Sequence, residues 1–68
     1  GDSPVPWRAL AEFSLQYNAD LQSTGLPAAR QAVLLAPQEA ASQELMARVY
    51  LRLGDLLTAR RFARRALQ

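Results

Sequence analysis

Gly54-Asp55 constrains the fold of this 68-residue chain more than any other feature. The pair separates two stretches that both read as helix, residues 38–53 and 56–67. Glycine enters the left-handed backbone region without the Cβ clash that other residues meet there, and so it commonly closes a helix. An aspartate directly after it can accept a backbone N–H as the N-cap of the next helix. Beyond the turn, Ala59, Ala63 and Ala66 recur at helical spacing. Small residues on one face let two helix backbones approach closely. The stretch therefore predicts a tight antiparallel helix pair, with Gly54 left-handed and with Ala59 and Ala66 buried at the crossing.

Two more helices are expected upstream. Pro4 and Pro6 disfavour helix at the residues before them, and Pro6 suits the first turn of a helix through Trp7 to about Tyr17. Trp7, Leu10, Ala11, Leu15 and Tyr17 form its partial apolar stripe, and Trp7 and Tyr17 are expected in the core rather than in a binding surface. Residues 18–25 are polar and read as a turn. Pro27 starts a second helix, capped by Thr24 or Gly25 and running to Leu35. Pro37 ends it and opens the third, whose apolar face is Leu45, Met46, Val49, Tyr50 and Leu53. The β-branched residues are scattered, so no strand is expected. The fold class is all-α: two antiparallel helix hairpins in one small domain.

Composition removes several function classes. The chain has no cysteine and no histidine, which leaves out disulfide staples, thiolate chemistry and the usual zinc ligand sets. Its serines have no visible base and no Gly-rich phosphate loop is present, so neither an enzyme nor a bound cofactor is expected. No apolar run approaches the roughly 18 residues of a membrane span. The first residues also lack the basic-then-apolar pattern of a signal peptide. All eight basic residues are arginine, against six acidic ones, for a net charge of +2. Most of the arginines follow Met46, so the chain is mildly acidic first and basic last.

The helices also repeat. An offset of 34 pairs Ala29 with Ala63, Arg30 with Arg64, Ala32 with Ala66 and Val33 with Leu67. An offset of 36 pairs Leu10 with Met46, Ala11 with Ala47 and Leu15 with Leu51. Two extra residues in the 18–25 loop account for the difference. The second copy carries Met46-Ala47 and Tyr50, then Gly54-Asp55 at a turn, then Ala59, Ala66 and Leu67; the first carries Trp7, Leu10, Ala11, Ala32 and Pro37. This pattern resembles the tetratricopeptide repeat family, whose unit is about 34 residues. It departs from the family in its longer first loop, in Ser14 where an aromatic is usual, and in Gly25 where alanine is usual. The resemblance implies unit one over about 6–37 and unit two over about 38–68, stacked as a short α-solenoid, alone or as a segment of a longer protein. It implies a scaffold that binds other proteins.

Two groups of residues are candidates for contact. Glu44, Arg48, Leu51 and Arg52 lie along one side of the third helix, at i,i+4 spacing for the charged members. The resemblance places them, with Arg8, Glu12 and Leu15 of the first unit, in a groove lined by the first helix of each unit. Such a groove would take a partner's peptide or helix, and arginine suits paired hydrogen bonds to carboxylates. The plainer reading of Glu44 and Arg48 is a surface ion pair. The family's carboxylate clamp of lysine and asparagine is not matched, so chaperone binding is not inferred. The second group is Arg60, Arg61, Arg64 and Arg65, which span about 140° of the fourth helix. They could bind an anionic polymer, but four exposed charges more often only keep a helix solvated, and nucleic acid is not the expected partner. Leu57 lies among them and is expected to be exposed. A structural or self-associating segment is the remaining alternative.

Overall fold

The computed structural model describes residues 3–67; Gly1, Asp2 and Gln68, which the expected domain and second unit include, lie outside them. Four α-helices follow one another: α1 (Val5–Tyr17), α2 (Leu26–Leu35), α3 (Ala40–Leu53) and α4 (Leu56–Ala66). A π-helical turn, Leu21–Gly25, leads directly into α2, and no strand occurs among the described residues.

The turn at Gly54-Asp55 forms as its residue types require. Gly54 has φ 88°, and its N–H and that of Asp55 donate back to the carbonyls of Leu51 and Tyr50. Asp55 then caps α4: its carboxylate accepts from the Thr58 N–H at 3.2 Å and from the Thr58 hydroxyl at 2.7 Å. Those two bonds, hydroxyl first, hold the Asp55 carboxyl below its ordinary value of 3.8, and the nearby Arg61 charge adds to them against slight desolvation.

Other boundaries differ from expectation. The third helix starts at Ala40, not at residue 38, because Pro37 and Gln38 form a turn and Glu39 is extended. Buried Gln43 secures this turn by donating to the Pro37 carbonyl at 3.1 Å. The expected loop over 18–25 shrinks to Asn18, Ala19 and Asp20. Asn18 and Asp20 both adopt φ 50°, a conformation that short polar side chains tolerate, and so reverse the chain within three residues. Helix resumes at Leu21, with i→i+5 bonds from Gly25 N–H to Asp20 and from Leu26 N–H to Leu21. No side chain caps α2, and Gly25 has ordinary helical angles.

Gly25 is glycine for a different reason. A Cβ there would lie 2.8 Å from Ser14 Oγ and 3.1 Å from Ser14 Cβ. Ser14 is buried in α1, and its hydroxyl donates to the Ala19 carbonyl. The serine and the glycine, two of the three departures from the expected pattern, are thus the two sides of one close contact.

The core joins Ala11 and Leu15 of α1, Ala28 and Ala29 of α2, and Leu45, Met46 and Val49 of α3. Each helix runs antiparallel to the next in sequence: Ser14 meets Gly25 in the first pair, Arg30 Nη2 donates to the Tyr50 hydroxyl at 3.4 Å in the second, and the Tyr50 and Phe62 rings stack in the third. The first and third helices are therefore parallel. Arg8 near the start of α1 pairs with Glu39 before α3, and Arg52 near the end of α3 donates to Asn18 Oδ1 at 3.4 Å. Among the described residues the fourth helix packs on α3 alone.

That arrangement corrects three expected burials. Trp7 is 38% exposed at a hollow that it lines with Thr24, Pro27 and Ala28, and Tyr17 is 62% exposed and packs on Phe13. Ala59 is buried against α3 as expected, but Ala66 is only half-buried at the far end of the crossing. Leu57 is exposed, as expected.

Candidate functional site

A groove of about 620 Å³ runs between the parallel helices α1 and α3. Glu12, Leu15 and Gln16 form one wall; Arg48, Leu51 and Arg52 form the other. Each α1 residue of the groove has a counterpart 36 positions on in α3, the offset seen in the sequence. Parallel alignment of two helices with matching spacing is what sets the two rows side by side. Leu15 is buried and forms the floor, whereas Leu51 is 57% exposed and offers an apolar foothold at the rim. The electrostatics are uneven: one carboxylate on α1 faces two guanidinium groups on α3. Arg48 and Arg52 make no ion pair among the described residues, and Arg52 has only the long bond to Asn18.

Five of the seven residues expected in the groove line it: Glu12, Leu15, Arg48, Leu51 and Arg52. Arg8 does not. Its guanidinium is held by Glu39 at the other end of the α1–α3 contact, a partly exposed ion pair of the kind that contributes about 0–1 kcal/mol. Glu44 also lies outside the groove. It makes no ion pair with Arg48 and faces a separate depression between α3 and α4. Gln16 was missed because it is neither charged nor apolar; subtracting the repeat offset of 36 from Arg52 identifies it.

The depression between α3 and α4 holds about 400 Å³ and is mostly apolar. Ala47 and Leu51 line it from α3, and Leu56, Ala59 and Ala63 line it from α4, with Glu44, Arg48 and Arg60 at its margins. Arg48 and Leu51 form the ridge between the two hollows, since both line each of them.

The arginines of α4 differ in their neighbours. All four are exposed, and the Arg65 guanidinium lies 5.1 Å from the Phe62 ring centroid, in cation–π contact. Arg60 borders the apolar depression. Among the described residues no three acidic side chains gather in a way that could hold a metal ion, and no helix is long and apolar enough to cross a membrane. Comparison of the chain with protein-family models, curated proteins and solved structures yields no match in any of the three.

Proposed function

We propose that this chain is a protein-interaction module of tetratricopeptide type, and that the α1–α3 groove receives a peptide segment or helix of a partner. The observation that carries this reading is the pair Arg48 and Arg52, without carboxylate partners, beside exposed Leu51 in a groove wide enough for side chains. A guanidinium presents a planar fork of donors that fits a carboxylate. The complementary ligand is an acidic segment with one apolar anchor: the anchor covers Leu51 and the carboxylates meet Arg48 and Arg52. Glu12 on the opposite wall disfavours a uniformly acidic ligand and orients one with a polar or basic group on that side. The parallel first helices and the repeat-related walls support the tetratricopeptide reading.

Fluorescence polarisation with a labelled peptide carrying two glutamates around a leucine tests it. A peptide with lysine in place of the glutamates is the control. The acidic peptide should bind and the basic one should not. Arg48→Ala with Arg52→Ala should weaken binding by about tenfold or more, the equivalent of about one charged hydrogen bond. Arg60→Ala with Arg64→Ala should have a smaller effect. Equal losses from both pairs would indicate general electrostatics. Loss only from the α4 pair would move the site to the outer basic face, where binding of an anionic polymer would weaken steeply with salt.

A further inference from the structure

The surface on which α3 rests exists twice, and among the described residues nothing covers its second copy. In the first hairpin, Ala11 and Leu15 of α1 and Ala29 of α2 are buried under α3. Their repeat counterparts in the second hairpin are Ala47, Leu51 and Ala63, and these three line the apolar depression between α3 and α4. There Ala63 and Leu51 are exposed. The matching half of the contact is also present twice. The side of α3 that fills the first groove is Leu45, Met46 and Val49; 36 residues earlier stand Ala9, Leu10 and Phe13, all exposed on α1. One end of the molecule is a socket, and the other carries the helix face that fits it.

We infer that the chain associates head-to-tail with a second copy, α1 of one seated between α3 and α4 of the next. The charges agree with this geometry. Within one chain, Glu12 shares the α1–α3 groove with Arg48 and Arg52. In the stacked pair, Arg48 and Arg52 of the first copy take the positions of Glu12 and Gln16, and the incoming α1 brings Glu12 beside those two guanidinium groups. A basic wall thus meets an acidic one at the new junction. Because the two surfaces differ, the contact is heterologous and continues from copy to copy instead of closing a twofold dimer. It requires no ligand in the α1–α3 groove.

Sedimentation of the full chain over a concentration series reads this directly. The weight-average mass should climb from the 7.5 kDa monomer and pass the dimer without a plateau. Phe13→Asp spoils the helix face, and Ala63→Glu fills the socket. Each variant alone should stay monomeric at concentrations at least about ten times those that assemble the parent, since the interface would bury a carboxylate. An equal mixture should give a dimer and nothing larger, because one variant keeps an intact socket and the other an intact α1. Far-UV circular dichroism checks the fold of each; Leu56→Asp, at an exposed socket position, replaces Ala63→Glu if helicity falls. A mass of 7.5 kDa up to about 1 mM would overturn the inference. So would a mixture that stays monomeric, or a parent mass that stops at the dimer.

Discussion

Two glycines in this chain are required for opposite reasons, and substitution tells them apart. Gly54 has open space where a side chain would go, but its φ of 88° is one that L-residues avoid. Gly54→Val should therefore lower stability by about 1–2 kcal/mol through the backbone alone, read as a lower melting temperature with the helical content retained. An unchanged melting temperature would mean that the turn accommodates another conformation. Gly25 has helical angles that favour alanine by about 1 kcal/mol, but no room for its methyl group beside Ser14. Crowding at a buried site costs about 1–3 kcal/mol, so Gly25→Ala should be net destabilising. In a Ser14→Ala background the nearest atom is gone, and the cost of Gly25→Ala should be smaller. Additive effects of the two substitutions would show that they do not share the contact.

At the scale of an element, what could be read from the sequence depended on where the deciding chemistry lay. The end of α3 and the start of α4 are set by Gly54, Asp55 and Thr58, close neighbours in the chain, and were legible. The same holds for the buried face of α3, whose central position gives its apolar period a neighbour on most sides. It fails for α1: the spacing of Trp7 and Tyr17 marks a stripe, but no local signal says on which side of the helix another helix lies. Likewise the π-helical turn was hidden by polar residues that resemble a loop, whereas half-buried Leu21 packs on the core and buried Gly25 lies against Ser14. In the candidate site, the charged residues and leucines were legible, while Gln16 and the displacement of Arg8 and Glu44 depend on helix placement. The cap of α4 also makes a prediction about pH. Because the folded-state pKa of Asp55 lies below the unfolded value, its contribution is present above pH 3.8 and is lost as pH falls through the lower folded value. Asparagine still caps but cannot ionise. Thermal melts should show the parent above Asp55→Asn near neutrality, with the gap closing on acidification. A gap constant across that window would remove the charge from the account.

For the whole molecule, the uneven distribution of neighbours sets both stability and reactivity of surface. The third helix touches every other helix and supplies Leu45, Met46 and Val49 to the core. Among the described residues the fourth touches only α3, and Ala59 is its one buried residue. Local opening is easiest where few apolar contacts must break. Amide hydrogen exchange should thus be slowest in α3 and fastest, among the helices, in α4. If a second copy seats its α1 in the socket, α4 gains the second neighbour that it lacks. Its protection should then rise with protein concentration, while protection in the centre of α3 changes little. The Phe13→Asp variant, which cannot insert, should show the fast α4 at every concentration. Amides of α4 as slow as those of α3 in dilute solution would mean that packing on one helix suffices to hold it, and the uncovered face would then no longer explain why the molecule should seek another copy.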